Sequence, residues 1–475
     1  MNNYKTTWLP HLKNSIPEVV TGSRTCMYLM SLEGWRRGLQ LKFQIKKHRN
    51  ILSAVSYSLN DGVNEHIFHG SRGDFVSKEA IKICMNKDLT NKYLSEANVS
   101  VPVGKGFTES VSDNEILNYA NKIGYPVVLK PATGEGGAGV VTNIKNDKEL
   151  QNNLNRFRKL NPAGKVIVEK FFVGEDFRVY VLDGKVIGAF HRRAQSVVGD
   201  GTSTLRELLI KKNKERHLSP FLAKGTIKID KKMKGFLAER GLSEDSVPKV
   251  NERVFLRRNG EFFGQRDAVN VTDKLSSKMK ELAISAVKAI PGLPHGGVDM
   301  LIDLENDEGI VNEVNSRAQI SNHVFPVKGE AVDIPKMIID YYFPETKGNY
   351  VSNIPYYYDY KPVLDAFETS TLNELKIPTI PKNEQVAKKY IVTGSNLENK
   401  YLKRLQRQAR DKKLNGHAKI LENGKISVVV AGLKKRVDDF KNIIEKHPYK
   451  KVTVNSLESE EYNKPVSIGF IDRKQ

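Results

Sequence analysis

A glycine-rich segment between two β-prone stretches most constrains the fold of this chain. The segment KPATGEGGAGVV, residues 130–141, contains Gly134, Gly136 and Gly139 in the spacing GxGxxG. In a dinucleotide-binding fold, that spacing ends a strand and opens a helix. Here the β-branched run VVT follows at residues 140–142, and branching at Cβ favours a strand. The pattern therefore predicts a β-hairpin whose flexible tip can close over phosphate groups, rather than a dinucleotide turn.

The composition is that of a globular protein with more than one core. At 475 residues, about two to four domains are expected. The 39% hydrophobic and 28% charged residues fit this class. Cys26 and Cys84 lack metal-ligand spacing and form no disulfide framework, which suits a reducing compartment. Neither an apolar run of about 18 residues nor a signal-peptide core occurs, so we expect a cytoplasmic protein without membrane insertion.

A formal charge of +21 raises the question of an anionic partner. The candidates are nucleic acid, an anionic membrane surface and an acidic substrate. About half of the excess follows residue 385, and residues 399–414, NKYLKRLQRQARDKKL, predict a basic helix with Leu402, Leu405 and Ala409 on its apolar side. A solvated helix face explains this helix equally well. No nucleic-acid motif accompanies it, so an acidic substrate is favoured over nucleic acid.

The chain divides into four predicted parts. Residues 1–85 are expected to form a small α/β N-terminal domain, and residues 86–346 an α+β domain. Residues 347–384 carry prolines and tyrosines without periodicity and are interpreted as a linker. Residues 385–475 alternate as βαββαβ, a compact domain that can fold by itself.

Secondary structure within the α+β domain is clear enough to place the motifs. A strand is expected near Val101, and Asp183 with Gly184 predicts a tight β-hairpin turn. The stretches GGVDMLIDLE and GIVNEVN predict another antiparallel pair. Helices are expected over approximately these ranges: 87–97, 113–123, 148–159 and 276–290.

Two carboxylates and an amide lie close together in the predicted strand pair. Asp299 is in GGVDML, and Glu313 and Asn315 are in NEVN. Residues two apart on a strand share a face, so Glu313 and Asn315 project together, and Asp299 joins them if its strand pairs alongside. Mg²⁺ prefers such hard oxygen ligands. The alternative is an ordinary polar sheet face.

Other charged and aromatic residues could bind a nucleotide. Lys87 opens a helix and Lys130 ends the strand before the glycines, where each could neutralise phosphate or be an ordinary surface lysine. Glu169, Phe172 and Asp176 lie in VEKFFVGEDF, where an extended backbone could hold a purine and a carboxylate could bind ribose. A buried strand end followed by a turn explains the same segment.

The order of these pieces resembles the ATP-grasp superfamily, in particular its carboxylate–amine ligases, over about residues 85–345. The resemblance implies two α+β subdomains that clasp ATP with two Mg²⁺ ions, Mn²⁺ being an alternative. It assigns Asp299, Glu313 and Asn315 to the metal. It assigns the nucleotide to the following residues: Lys87, Lys130, Gly134, Gly136, Gly137, Glu169, Phe172 and Asp176.

A narrower likeness lies in VVGDGTSTLRELL, RGLSEDSVPKVNERVFLRRN and NVTD, which resemble the ATP-grasp region of cyanophycin synthetases and fused glutathione-forming enzymes. No GxxxxGK[ST] occurs, so the Mur-ligase-like half of cyanophycin synthetase is not expected. The pair Arg192 and Arg193 resembles basic residues of ribosomal-protein glutamate ligases. With Arg257 and Arg317, they are the candidates for holding a phosphoryl group or acyl oxyanion, although each could be an ordinary surface arginine.

The last ninety or so residues resemble acylphosphatases, giving a ferredoxin-like domain. The resemblance places Leu402 where that family has a phosphate-binding arginine and Ile420 where it has a water-orienting asparagine. Neither side chain can do that work. Lys400 or Lys403 could substitute for the arginine in a shifted register, but a catalytically silent domain is the favoured expectation. Its basic helix is then either a docking surface for an anionic substrate or partner, or a solubilising appendage.

The resemblance implies an ATP- and Mg²⁺-dependent ligase that forms amide bonds through an acyl phosphate. Its substrate is expected to be a small molecule or peptide of acidic character. Whether the chain forms a homo-oligomer stays open. One alternative is an ATP-binding sensor or scaffold without ligase activity, and another, suggested by charge alone, is a nucleic-acid-binding protein.

Overall fold

The computed structural model shows two compact units. One comprises residues 74–334 together with Thr6–Thr7, and the other comprises residues 8–73 with the chain from Pro335 onward. No helix within the described ranges combines the length and apolar character needed to cross a membrane. The structure describes these residues: 6–48, 51–132, 139–161, 164–257, 266–369, 372–381, 384–446 and 452–472.

The N-terminal part of the chain is a helix followed by a strand meander, with a 3-10 turn at Pro10–Leu12. Its elements are β1 (Thr6–Thr7), α1 (Arg24–Arg36), β2 (Gln40–His48), β3 (Ile51–Asn60), β4 (Glu65–His69) and β5 (Arg72–Gly73).

The central part alternates helices and strands. Its elements are α2 (Lys78–Met85), α3 (Lys87–Glu96), β6 (Gly104–Phe107), α4 (Asp113–Ile123), β7 (Val127–Pro131), β8 (Val141–Ile144), α5 (Asp147–Leu160), β9 (Val166–Lys170), β10 (Glu175–Leu182), β11 (Lys185–Arg193), β12 (Ser196–Val198), α6 (Leu205–Leu218), α7 (Lys231–Ala238), β13 (Arg253–Phe255), β14 (Asp267–Asn270), α8 (Ser277–Lys288), β15 (His295–Asp303), β16 (Glu308–Asn315), α9 (Ser321–Val324) and β17 (Gly329–Glu330).

The C-terminal part includes a 3-10 turn at Pro344–Thr346. Its elements are α10 (Ile334–Tyr342), β18 (Tyr356–Tyr357), α11 (Lys361–Glu368), β19 (Glu374–Lys376), β20 (Gln385–Ser395), α12 (Asn399–Asp411), β21 (Asn415–Ile420), β22 (Ile426–Leu433), α13 (Lys434–Lys446), β23 (Thr453–Glu461), β24 (Val466–Ser467) and β25 (Phe470–Asp472).

Two sheets organise the unit of residues 74–334. A four-stranded antiparallel sheet has the order β6-β9-β7-β8, and its core also contains residues of α4 and α5. A five-stranded sheet, which we call the central sheet, has the order β14-β11-β10-β15-β16, and residues of α2, α3 and α8 share a core with it. Helix starts follow local chemistry, because side-chain oxygens accept first-turn N–H groups. These N-cap residues are Ser77, Asn86, Ser112, Asn146, Thr204 and Ser276.

The two strands that flank the glycine-rich segment pair with each other, as predicted. Strands β7 and β8 pair antiparallel, with Leu129 opposite Val141, and Gly139 has a φ of +77°. Gly134, Gly136 and Gly137 lie outside the described residues, so their predicted contact with phosphates stays a prediction. The turn between β10 and β11 is also confirmed, since Asp183 and Gly184 both have positive φ, as a type I′ hairpin requires.

Two predictions for the central part were wrong or incomplete. Val101 lies outside any strand and β6 begins at Gly104, because Pro102 has no N–H to donate to a ladder. Helix α6 was not expected, although Thr204 and Glu207 form a capping box, a signal that is readable from TSTLRE.

The segment of residues 347–384, interpreted as a linker, is folded, and that prediction was wrong. Strand β19 pairs with β2, and β18 pairs with β24. The hydroxyl of the buried Tyr358 lies 2.6 Å from Ser31 Oγ, and the carbonyl of Tyr358 accepts a hydrogen bond from the hydroxyl of Tyr28. A buried tyrosine needs a hydrogen-bond partner for its hydroxyl. In this segment each partner is a distant residue, so the segment folds through separate tertiary contacts that leave no periodic pattern in the sequence.

These contacts also change the predicted domain organisation. Residues 8–73 share one unit with the C-terminal part, and α2 (Lys78–Met85) contributes to the core of the other unit. The βαββαβ order from residue 385 is confirmed, as a sheet of order β23-β20-β22-β21-β25. This sheet is joined to the preceding segment, because Tyr356 donates to Gln385 Oε1 at 2.5 Å.

Candidate active site

The two faces of the central sheet have opposite character. On β10, Phe177, Val179 and Val181 enter the hydrophobic core shared with α8. Side chains alternate along a strand, so Asp176 and Arg178 project from the other face. The sheet therefore has one apolar face and one charged face, and most of the predicted site residues of β10, β11, β15 and β16 lie on the charged face.

Asp299 is the centre of the charged face. It lies opposite Arg178 on β10 and opposite Glu313 on β16. Arg178 Nη2 donates to Asp299 Oδ2 at 2.9 Å, Arg178 Nε donates to Oδ1, and Arg192 Nη2 donates to Oδ1 at 2.8 Å. Burial disfavours the charged carboxylate, but the two guanidinium groups outweigh it and hold the pKa of Asp299 below its usual value. Asp299 is thus an ionised, buried carboxylate.

Asp176, the predicted ribose ligand, is held by two arginines. Arg192 Nη1 donates to Oδ1 at 3.2 Å and Arg266 Nη1 to Oδ2 at 2.6 Å. Burial raises the pKa of Asp176, and Arg192 and Arg266 offset that increase only in part. Arg192 therefore bridges Asp176 and Asp299, and the proposed ribose contact requires a carboxylate oxygen that is shared with a guanidinium group.

Glu313 and Asn315 complete the predicted metal set. Glu313 is half-buried, and its side chain forms no hydrogen bond or ion pair with any other described residue. Burial, and then the charge of Asp299, raise the pKa of Glu313. Asn315 Nδ2 lies 3.4 Å from Asp299 Oδ2. The structure therefore brings the three predicted metal residues together.

The donor set fits a hard divalent cation. Within the described ranges, no three His, Cys, Asp or Glu side chains form a metal-binding group, and this set is instead two carboxylates and an amide. Oxygen donors of that kind suit Mg²⁺. Glu313 is the open ligand, whereas Asp299 must share its oxygens with Arg178 and Arg192.

Two of the predicted nucleotide residues, Lys130 and Glu169, form a second group on the four-stranded sheet. Lys130 Nζ lies 2.7 Å from Glu169 Oε2, and both side chains are buried. Glu169 Oε1 is also buried and accepts no hydrogen bond within the described part of the chain. Gly104 lies opposite Glu169, and a Cβ at Gly104 would meet Glu169 Cγ at 2.4 Å. The missing side chain at Gly104 therefore makes room for Glu169.

Phe172 lies in the connection between β9 and β10, and Lys87 lies on α3. The half-buried Phe172 ring lies against Gly174, where a Cβ would meet ring atom Cε1 at 2.8 Å. Lys87 is the first residue of α3, and its charge lowers the pKa of Glu313 against the larger effects of burial and Asp299. Lys87 is therefore close enough to the metal set to act on it.

Arg192 and Arg193 do not act as a pair. Adjacent strand residues point to opposite faces, so Arg193 lies away from Asp299, and its Nε donates to His191 Nδ1 at 3.2 Å. Arg192 alone reaches the charged face. The prediction that treated the two arginines together needs this correction.

The remaining predicted arginines differ in their surroundings. Arg257 is buried, and its terminal nitrogens donate to Asp230 at 3.2 and 2.8 Å. Asp230 also caps α7, so Arg257 anchors that helix, although its Nε is buried without a partner among described residues. Arg317 follows β16, is exposed and forms no hydrogen bond or ion pair with a described residue. Arg317 is open to a ligand, whereas Arg257 is occupied on its two terminal nitrogens.

Two arginines of the site were missed at the level of sequence. Arg178 is two residues after Asp176, so the strand period already placed both on one face. Arg266 precedes β14 and reaches Asp176 across β11, a contact that no local pattern indicates.

Glycines let the segment after β16 approach the charged face. Gly188 and Gly297 lie opposite Tyr180 on neighbouring strands. A Cβ at Gly188 would meet His323 Nδ1 at 2.9 Å, and a Cβ at Gly297 would meet Ala318 Cβ at 2.5 Å and Arg178 Cδ at 3.0 Å. Gly297 therefore provides the space in which Arg178 reaches Asp299.

We expect Gly297→Ala to lower the free energy of unfolding by about 1–3 kcal/mol, because Ala318 cannot move aside as a flexible side-chain end could. Urea denaturation measures this change. The matched control is Gly235→Ala in α7, where a Cβ meets nothing within 4 Å. That control should stabilise the protein by about 0.5–1 kcal/mol, since alanine is the better helix former. Equal effects of the two substitutions would contradict the packing argument.

The C-terminal domain lacks the polar residues of a catalytic site at two aligned positions. Leu402 and Ile420, which replace the arginine and asparagine expected of an acylphosphatase, both pack against the hydrophobic core of this domain. Their apolar side chains help hold α12 and β21 to that core. The expectation of a catalytically silent domain is consistent with this packing.

Comparisons with known proteins agree with this architecture. Residues 86–178 match the family model "Carbamoyl-phosphate synthase L chain, ATP binding domain", and residues 388–470 match the acylphosphatase model. A crystal structure of a bifunctional glutathione synthetase from Pasteurella multocida aligns with a TM-score of 0.50 and 27% identity. That alignment covers 61% of this chain and 41% of the other.

Curated relatives include two kinds of biosynthetic protein. The glutathione biosynthesis bifunctional protein GshAB of Desulfotalea psychrophila is 28% identical over 329 residues, which cover 64% of this chain and 41% of that protein. The cyanophycin synthetase of Geminocystis herdmanii is 28% identical over 313 residues, covering 64% and 35% of the two chains. The chain thus spans less than half the length of these relatives. It carries an ATP-grasp domain, homologous to parts of cyanophycin synthetases and bifunctional glutathione biosynthesis proteins, followed by an acylphosphatase-like domain.

Proposed function

We propose that this protein is an ATP- and Mg²⁺-dependent carboxylate–amine ligase that forms an amide bond through an acyl phosphate. One observation carries the proposal. The half-buried carboxylate of Glu313 has no partner among described residues and lies directly opposite Asp299, on a sheet face that also holds Arg178 and Arg192. Homology to ATP-grasp ligases supports the same reading.

ATP is a substrate of this reaction, and Glu169, Phe172 and Asp176 suit its adenosine part. The buried, unpartnered Glu169 Oε1 can accept a hydrogen bond from the adenine amino group. Phe172 would lie against the base and Asp176 would accept from ribose. Lys87 and Lys130 would neutralise phosphate oxygens as point charges.

Asp299, Glu313 and Asn315 would hold Mg²⁺. The ion would supply positive charge next to the phosphates, which reduces repulsion towards an incoming carboxylate. Only deprotonated ligands bind a metal ion, so the chain must keep the carboxylates of the site ionised. Arg178 and Arg192 do this for Asp299 in the present structure.

The chemistry requires neutralisation of charge more than covalent catalysis. A carboxylate oxygen of the acid attacks the γ-phosphorus, the bond to the bridging oxygen breaks, and ADP leaves. An amine nitrogen then attacks the acyl carbon, the phosphate leaves with its electron pair, and the nitrogen loses a proton. The exposed Arg317 can orient the transferring group bidentately. Arg192 contributes positive charge beside it, because both of its terminal nitrogens are held by Asp176 and Asp299.

An acidic substrate fits the overall charge of +21, which attracts anions over long distances. The names of the relatives refer to glutathione biosynthesis and to cyanophycin synthesis, and they do not identify the acid or the amine that this chain uses. We therefore propose the substrate class, an acidic small molecule or peptide, without a specific compound.

The test is release of ADP and phosphate from ATP by the purified full chain while acids and amines are added one pair at a time. We expect one pair to stimulate turnover. Glu313→Gln should lower that turnover at least about 100-fold, because it removes a charged ligand at the site of phosphoryl transfer. The matched control is Glu308→Gln, an exposed carboxylate on the same strand, which should keep full activity.

Two outcomes would contradict the proposal. ATP binding without stimulated turnover by any acid and amine would favour an ATP-binding sensor or scaffold. Equal losses in Glu313→Gln and Glu308→Gln would show that the charged face has no special role in the reaction.

A further inference from the structure

Helix α12 carries an exposed row of cations, which we call the cationic stripe: Lys400, Lys403, Arg407 and Arg410. Their spacing of three, four and three residues places them along one side of the helix over about 15 Å. Lys400, Lys403 and Arg407 form no ion pair with any described residue. Arg410 donates through Nε to the carbonyl of Phe470 at 3.2 Å, so the first three cations are the open part of the stripe.

The cationic stripe works against the stability of its own helix. Like charges three or four residues apart repel, and Lys400 near the start of α12 opposes the helix dipole, whereas Arg410 in the last turn complements it. Helix α12 has no acidic residue in its first turn and no side-chain cap, unlike α4 and α5, which have both. A local arrangement that costs stability without a gain elsewhere is typical of a functional surface.

Several other lysines of the same domain are paired with acids. On β20, Lys388 pairs with Glu461, and Lys389 pairs with Glu460 at 2.7 Å. On α13, Lys441 lies 3.7 Å from Glu445. Lys434 and Lys435 at the start of α13 are exposed and form no ion pair with a described residue, so what distinguishes α12 is the continuous row of cations along one side of the helix.

We propose that the cationic stripe docks an acidic polypeptide. In an extended peptide, alternate side chains face one way about 6.8 Å apart. The cations lie about 4.5 to 6 Å apart along the helix axis, within the reach of flexible lysine and arginine side chains. Acidic side chains on alternate residues can therefore meet successive cations. This inference does not depend on ligase activity.

Other anionic partners fit α12 less well. Single-stranded nucleic acid is held by exposed aromatic rings, and the aromatic residue of α12, Tyr401, is buried. A membrane-binding helix inserts an apolar face, whereas Tyr401, Leu405 and Ala409 are already used in the core of the domain. The acids Glu460 and Glu461 of a second copy are engaged by their own lysines.

The experiment measures binding of a fluorescein-labelled oligo-glutamate peptide to the full chain by fluorescence anisotropy, at low and at physiological salt. The variant is Lys403→Ser with Arg407→Ser. We expect about tenfold weaker binding than in the wild type, from two lost contacts between exposed charges. The matched control is Lys434→Ser with Lys435→Ser on α13, which removes the same charge from exposed positions of the same domain and should change affinity less than about twofold.

Thermal unfolding distinguishes lost docking from misfolding. Because repulsion along α12 is relieved, the Lys403→Ser and Arg407→Ser variant should unfold at the same temperature as the wild type or higher. Docking by the stripe is refuted if the wild type does not bind the peptide, or if the α13 control loses as much affinity. Tighter binding of an oligonucleotide with the same number of charges would instead identify α12 as a nucleic-acid surface.

Discussion

At about pH 5, the unit of residues 74–334 is expected to be about 6 kcal/mol less stable than at neutral pH, because three buried histidines must stay neutral for it to fold. Burial lowers the pKa of His295 to about 4. Burial, together with the charges of Arg178 and Arg192, lowers the pKa of His323 to about 3.

The third histidine, His191, has its pKa lowered to about 4 by burial and then by Arg193 and Arg266. Glu175 lies 3.2 Å from its Nε2 and favours the protonated ring, but is outweighed. His191 is also stacked on Phe177 with ring centroids 4.7 Å apart, and Arg193 Nε approaches its Nδ1. Protonation would place a third positive charge beside two arginines.

The direction of the pH effect follows from where each state binds protons. The folded-state pKa values lie below the ordinary 6.5, so on acidification the unfolded chain binds protons first. Stability is therefore complete above about pH 6.5 and is lost as the pH falls towards 4. At pH 5, each histidine contributes a loss of about 2 kcal/mol.

Urea denaturation at neutral pH and at pH 5 measures the loss. His323→Leu should reduce the pH dependence by about a third, since it removes one of three comparable contributions. The matched control is His217→Gln, which removes an exposed imidazole from α6 and leaves the three buried histidines intact. Stability that does not change between the two pH values, or a control that acts like His323→Leu, would contradict this explanation.

The second large effect is expected from Asp299→Asn, which should lower the free energy of unfolding by about 3 kcal/mol. The substitution leaves Arg178 buried without its acid and leaves Arg192 with Asp176 alone. An uncompensated buried charge costs more than the loss of an exposed ion pair. Urea denaturation at neutral pH measures the difference.

A matched control and a double-mutant cycle test this reasoning. Asp245→Asn breaks an exposed ion pair with Arg206 in the same unit and should change stability by less than about 0.5 kcal/mol. Arg178→Met should cost less in the Asp299→Asn background than in the wild type, because its partner is already gone. Additive costs would show that the two side chains are not coupled.

Much of the fold was predictable because helix ends, tight turns and strand faces depend on residues close together in the sequence. Helix α4 has the predicted bounds, since Ser112 caps its first turn and Gly124 with positive φ ends it. The hairpin at Asp183 and Gly184 was equally clear, since few residues tolerate its dihedral angles. Strand periodicity alone is enough to place Glu313 and Asn315 on one face of the sheet.

The tyrosine-rich segment shows where such reasoning stops. Residues 347–384 have no periodicity, because the buried tyrosines Tyr356 and Tyr358 each form a hydroxyl hydrogen bond with a different distant residue. A repeating hydrophobic pattern indicates the buried face of a helix or strand, whereas single long-range contacts leave no such pattern. The linker prediction failed for this reason.

The sequence by itself determined which residue types the candidate site contains, because carboxylates, an amide and cations at strand spacing are local properties of the chain. It also determined that the C-terminal domain has apolar Leu402 and Ile420 where polar groups would be needed. Only the tertiary structure decided that Arg178 and Arg266 join the site, that Arg193 leaves it, and which carboxylates are already neutralised. Those outcomes depend on strand order and register, which place residues about a hundred positions apart within hydrogen-bonding distance.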